Sequence, residues 1–291
     1  MKFRKELILF SLLSIVFLAG CARGPSVPSG AGVIITSFTP DVQEVDAGSD
    51  VTFVVNLKNT GGKTSGAGTA LFFGLSSDWT PAAQVKDVPT LAPADPGLGL
   101  TGEETSIDLT SKISSSAAKN TDVTYDASVR VLYGYTTTVD TLLRFVKSDY
   151  LRTAPNTPKG VQSSTSTAGP LLVTAFARTP SISADKTDAR VQFEIQNIGP
   201  GRVFGGNIPT DGIVAAASLD EIKSITVKQG DASLPCGQSD VRLAGGKSKV
   251  ISCDITVGNL VNFKDIALKV DIDYNYFIDS TTTVTVLKGL G

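Results

Sequence analysis

Residues 51–61, VTFVVNLKNTG, decide the fold. Val51, Phe53, Val55 and Leu57 alternate with Thr52, Val54, Asn56 and Lys58, a period of two that turns one set toward a core and the other toward water. Asn59 and Gly61 follow as turn residues, since both tolerate positive φ. The pattern returns later in the chain. Phe193-x-Ile195-x-Asn197-x-Gly199 aligns with Val55-x-Leu57-x-Asn59-x-Gly61 at an offset of 138. Val129-x-Val131-x-Tyr133-x-Tyr135 aligns with Val270-x-Ile272-x-Tyr274-x-Tyr276 at an offset of 141. Two matches in the same order at nearly equal offsets indicate duplication of one unit, with convergence of generic strand patterns as the alternative.

The same alternation runs through Val191, Phe193 and Ile195, and through a longer stripe from Ile266 to Tyr276 opposite Lys269, Asp271, Asp273 and Asn275. Gly245-Gly246 reads as a hairpin tip ahead of Lys249–Val257. Long helical periodicity is absent; Ser218–Ser224 has room for one helical turn. Many short strands cut by turn residues predict an all-β chain of two tandem antiparallel β-sandwich domains. Their expected bounds are 32–151 and 169–291. The Pro-, Ser- and Thr-rich stretch 152–168 reads as the linker between them, and 21–31 as a flexible tether.

Residues 47–74, AGSDVTFVVNLKNTGGKTSGAGTALFFG, resemble the immunoglobulin-like CARDB domain of prokaryotic surface proteins. The shared features are a Gly before the strand, the V-x-F-x-V-x-L-x-N-x-G strand and turn, and small residues leading into an apolar strand. The second half departs from the pattern, with Ala184–Asp188 replacing the Gly-containing turn. The resemblance implies immunoglobulin-like sandwiches that adhere or scaffold outside the membrane, with no catalytic residues to carry over.

The N-terminus has the parts of a secretory signal: Lys2, Arg4 and Lys5, then an apolar run from Leu7 to Ala19. That run is shorter than the ~20 residues of a membrane span. Leu18-Ala19-Gly20-Cys21 resembles the lipobox of prokaryotic lipoproteins, which implies removal of residues 1–20 and lipid on Cys21. The alternatives are a plain signal peptide with an incidental cysteine and an uncleaved anchor. With Cys21 lipidated, Cys236 and Cys253 are left as a pair flanking a predicted hairpin, free to join in an oxidising compartment. Two separate buried thiols are the alternative.

Composition narrows the chemistry. The 291 residues carry a net charge of −2, which becomes about −4 once the three basic residues and one acidic residue of 1–20 are removed. No basic stripe is present, so nucleic acid is not an expected partner. Histidine is absent, which removes Ser-His-Asp triads, Cys-His dyads and histidine metal clusters. Two cysteines without histidine cannot complete a zinc shell. Asp271-x-Asp273-x-Asn275 lacks the Gly and Glu of a calcium loop and reads as a solvated strand face. Ser116-x-x-Lys119 and Ser183-x-x-Lys186 match Ser-Lys spacing but fall in turns, where no helix aligns the pair. Trp79, the only tryptophan, is a candidate recognition anchor on a loop, or else the cap of a sandwich core. Thr136–Val139 and Thr281–Val284 suit exposed strands or a return inside one sheet.

No metal, cofactor or catalytic residue is therefore expected. The function expected is that of a lipid-anchored cell-envelope protein on the outer side of a prokaryotic membrane, acting as a structural, adhesive or assembly module on other envelope proteins or glycans. An extracytoplasmic ligand- or glycan-binding lipoprotein is the alternative.

Overall fold

The computed structural model describes residues 31–95, 97–118, 120–183, 186–236 and 241–288. The signal segment, Cys21 and nearly all of the tether lie outside the described residues, as do Lys119, Ala184 and Asp185.

The chain is all-β, as its alternation predicts. The first repeat contains β1 (Val33–Pro40), β2 (Glu44–Asp46), β3 (Asp50–Asn59), β4 (Gly68–Phe73), β5 (Trp79–Thr80), β6 (Gln84–Val88), β7 (Glu104–Ile113) and β8 (Val123–Lys147). A single helical turn, α1 (Tyr150–Thr153), and β9 (Gly160–Ser166) follow. The second repeat contains β10 (Leu171–Ala177), β11 (Ser181–Ile182), β12 (Asp188–Asn197), β13 (Arg202–Phe204), β14 (Ser224–Gln229), β15 (Ala232–Ser233), β16 (Ser248–Thr256) and β17 (Phe263–Leu287). The helical turn expected near Ser218 is a 3-10 turn at Ala216–Ser218.

Duplication is visible in the pairing registers. Val33 pairs with Asn59 in the first repeat and Leu171 pairs with Asn197 in the second, the same offset of 138 on both strands. Sheet β1-β3-β7-β5 and sheet β10-β12-β16 each form one layer of a sandwich. Both lie against one large sheet built around β8 and β17. Alternation does what the sequence predicts: Val51, Phe53, Val55 and Leu57 are buried on one face of β3, and Val191, Phe193 and Ile195 on the same face of β12.

The long strands change the meaning of the repeats. β8 and β17 pair antiparallel without interruption from Val146↔Phe263 to Val123↔Val286. At ~3.3 Å per residue each 25-residue strand is about 80 Å long, far beyond an ordinary strand. Each therefore passes through both sandwiches. The first half of β8 pairs with β4 and belongs to the first sandwich, while its second half pairs with β9 and β11 and belongs to the second. β17 does the reverse: it meets β14 in the second sandwich and ends beside β2 in the first. Each repeat thus lends its last half-strand to the other. The short strands β2 and β11 repeat this at the edges, β2 pairing in parallel with β17 and β11 with β8.

Two expectations are corrected here. The bounds 32–151 and 169–291 divide the chain by repeat but not by sandwich, because neither span contains all the strands of one sandwich. The linker 152–168 is not open chain: β9 pairs with β8 from Val139 to Arg144. The consecutive Ser163, Ser164, Thr165 and Ser166 alternate between half-buried and exposed positions, which suits a half-exposed edge strand.

Candidate functional site at the waist

An offset of 141 maps Gly134 onto Asn275, and these two residues pair with each other. The local two-fold axis relating the repeats therefore passes through this pair, and the sandwiches meet there at a waist. Tyr133, Tyr135, Tyr274 and Tyr276 surround it in the core, with neighbouring ring centroids 5.9–6.4 Å apart. Tilted and edge-on contacts of this kind suit aromatic quadrupoles.

The tyrosine hydroxyls hold the turns that follow β3 and β12. Tyr135 Oη accepts from the Lys63 amide at 3.1 Å and donates to the Ala168 carbonyl at 2.9 Å. In the second repeat, Tyr276 Oη accepts from the Gly201 amide at 2.8 Å and donates to Asn197 Oδ1 at 2.9 Å. Asn59 Nδ2 donates to the Lys63 and Leu91 carbonyls, and Asn197 Nδ2 to those of Gly201 and Gly246. Burial pushes the Tyr135 and Tyr276 hydroxyls up to about 12 and raises Tyr133 and Tyr274 as well. Each of these four hydroxyls is hydrogen-bonded to a backbone or core partner, Tyr133 to the Val33 carbonyl and Tyr274 to Thr137 among them.

The Asn-x-Gly motif works differently from its sequence reading. Neither Asn59, Gly61, Asn197 nor Gly199 has positive φ. Glycine is needed for space: a Cβ on Gly61 would lie 1.9 Å from Tyr135 Oη, and one on Gly199 would lie 2.5 Å from Tyr276 Oη. The Gly245-Gly246 tip does use positive φ, at 58° and 72°, as a tight hairpin requires.

On the outer face of the large sheet, the waist carries an open groove of about 370 Å³ lined by Thr64, Ser65, Gly66, Thr136, Lys223 and Asp273, among others. Beside it a second, small apolar cluster of Leu132, Phe204 and Phe277 is covered by Ile208, Val214 and Leu219 from the loop after β13. Cross-strand pairs fix the register of β8 on β17 along this face. Arg130 forks onto Asp279 at 2.8 Å and stacks on Phe277, and Arg144 forks onto Asp265 and stacks on Phe263. The Arg144 guanidinium holds the Asp265 carboxyl below its ordinary value.

The remaining sequence candidates are scattered. Trp79 is 2% exposed and packs edge-on against Phe53 and Tyr125, so it caps the first core and cannot serve as a recognition anchor. Its backbone pairs with Ile113 of β7, so the residue lies in a strand and not on an open loop. Cys236 and Cys253 are joined, pinning the segment after β15 onto β16. Asp271 and Asp273 accept hydrogen bonds from Thr138 and Thr136, and Asn275 donates to the Gly206 carbonyl. Among the described residues no cluster of His, Cys, Asp and Glu has the spacing of a metal site. Ser116 is bonded to Ser114, and Ser183 and Lys186 sit in one turn. Thr136–Val139 lies within β8 and Thr281–Val284 within β17, each paired to the opposite long strand. No described helix is long and apolar enough to cross a membrane.

No family model matches this sequence, and no curated protein matches it. Solved structures give distant likenesses only. The C-terminal globular domain of an oligosaccharyltransferase from Pyrococcus abyssi is 6% identical over 91% of this chain and 53% of its own, with a TM-score of 0.26. The secreted serine protease VesC from Vibrio cholerae is 11% identical over 86% of this chain and 51% of its own, with a TM-score of 0.22. The collagen adhesin of S. aureus is 10% identical over 91% of this chain and 96% of its own, with a TM-score of 0.19. The chain spans about half the length of the first two. Scores this low carry no argument about what this chain does.

Proposed function

We propose that this chain is a lipid-anchored envelope protein, held through Cys21 on the outer side of a prokaryotic membrane. It acts there as a non-catalytic structural, adhesive or assembly module for other envelope proteins or glycans. The observation that carries this reading is the joined Cys236–Cys253 pair in a chain that opens with a lipobox-like segment. Such a bridge suits an oxidising compartment outside the cytoplasm. The exchanged double sandwich supports a load-bearing or scaffolding role, since its surfaces are fixed relative to one another by the two long strands. The test is fractionation of a Cys21→Ser variant. It should leave the membrane or persist as unprocessed precursor; a mature-sized variant still in the membrane would refute the anchor. Cross-linking in native membranes followed by capture should then return envelope proteins or glycans.

The groove at the waist favours a second reading, an extracytoplasmic ligand- or glycan-binding lipoprotein. Its hydroxyls, glycine backbone, Lys223 and Asp273 could hydrogen-bond a polar sugar face. Lys223→Ala abolishing glycan capture would select this reading.

A further inference from the structure

Three consecutive residues at the end of the first repeat's β3 tie together two features of the waist. Thr60 holds the beginning of the described chain: its amide donates to the Gly32 carbonyl at 2.8 Å, and its Oγ1 accepts from the Ala31 amide. Its neighbours hold the loop between β6 and β7. The Asn59 amide donates to the Glu103 carbonyl, and the Gly61 carbonyl accepts from the Ala94 amide. The tip of that loop therefore projects beside the point where the chain emerges toward Cys21.

The tip is a built turn, not a loose strand of chain. Asp95 and Leu100 exchange backbone hydrogen bonds at 3.0 and 2.9 Å, and Asp95 Oδ1 accepts from the Gly97 and Leu98 amides. It presents Leu98 at 73% and Leu100 at 58% exposure. Two large apolar side chains held outward within three residues form a small apolar patch that favours contact with an apolar surface. The nine residues 22–30 between the cysteine and the described chain can reach at most about 30 Å. Anything tethered at Cys21 thus keeps this turn within reach of the lipid surface. Among the described residues, Ile213 at 63%, in the loop after β13, and Val261 at 84% are also more than half exposed, and Val261 lies at the far pole of the second sandwich, some 40 Å along β17 from the waist.

We infer that the Leu98–Leu100 turn is a second membrane contact, inserting its two leucines into the lipid interface beside the anchor, so that the protein sits waist-down on the membrane. This rests on the proposed anchoring at Cys21. Asp95 and Glu103 border the turn, so the favoured surface is zwitterionic rather than anionic.

The test separates the two claims by supplying the anchor chemically. The chain from Cys21 onward, with Cys236 and Cys253 joined, has one free thiol, which is coupled to a maleimide lipid in phosphatidylcholine vesicles. A Leu98→Trp variant should be quenched by brominated acyl chains, while the parent, whose Trp79 is buried, should not. Uncoupled protein should bind the same vesicles weakly, and Leu98→Asn/Leu100→Asn should lower that binding at least tenfold with an unchanged melting temperature. An unquenched Leu98→Trp on lipid would overturn the inference even if native lipidation is real. Quenching confined to native membranes, absent on pure lipid, would overturn it in favour of a protein partner. Failure of the anchor shows separately, in the fractionation of Cys21→Ser.

Discussion

Phe193→Ala should destabilise both sandwiches, although Phe193 touches only one. The ring is fully buried on β12 in the second core. Removing it costs about 3–5 kcal/mol, the ordinary cost of truncating a core aromatic. In two independent domains that loss would stay in the second. Here the first sandwich is closed by the end of β17 and the second by the end of β8, paired continuously with each other. Opening the second sandwich frees half of each long strand and withdraws the first sandwich's last strand. Native-state hydrogen exchange read by mass spectrometry resolves this. The slowest amides of β3, in the first repeat, should exchange faster by about two to three and a half orders of magnitude, matching those of β12. Unchanged protection of β3 beside accelerated exchange of β12 would refute the coupling.

Protease should nick first within residues 154–159, the stretch between α1 and β9, and the two products should co-elute as one folded complex by size exclusion. Fragments that separate without denaturant would contradict the exchange. Alkali should unfold the protein between about pH 10 and 12: the folded hydroxyls of Tyr135 and Tyr276 ionise near 12 against 10 when unfolded. Their contribution, up to about 3 kcal/mol each, is fully present below pH 10 and is lost as pH rises through 12. Melting temperatures flat from pH 9 to 12 would count against this. Reducing Cys236–Cys253 opens a loop with a sequence separation of 17 and should cost about 3 kcal/mol, seen as a lower urea midpoint. Two free thiols in oxidised, exported protein would exclude the bridge.

Much of this was legible in the sequence. Alternation in Val51–Leu57 and Val191–Ile195 gave strands and faces, and the offsets of 138 and 141 gave the repeat, because period-two patterning is enforced by burial at every step. The exchange of half-strands is signalled only by a missing turn. A sandwich needs a turn between its last two strands, and 263–287 contains neither Gly nor Pro while 123–147 has only Gly134. Local patterning names a strand but not its partner, so a missing turn looks like one long strand rather than a crossing. The waist was half-legible: the paired Tyr-x-Tyr motifs stood out as a repeat, but only contacts across 72 and 75 residues show why each Asn-x-Gly needs its glycine. Leu98 and Leu100, separated by Gly99 and set among Pro and Gly, have no periodicity that marks them as exposed.

Gly134 facing Asn275 has a consequence for how such a protein can lengthen. Chains of ordinary sandwiches grow by adding another copy at the end, since each copy is complete. Here the two copies satisfy each other around a two-fold axis, as subunits do in a closed dimer. A third copy appended after residue 291 would find no free half-strand to receive and no groove for its own. It would display an open sheet edge, the kind of surface that recruits other chains. The pair, not the single repeat, is therefore the unit in which both sandwiches are closed.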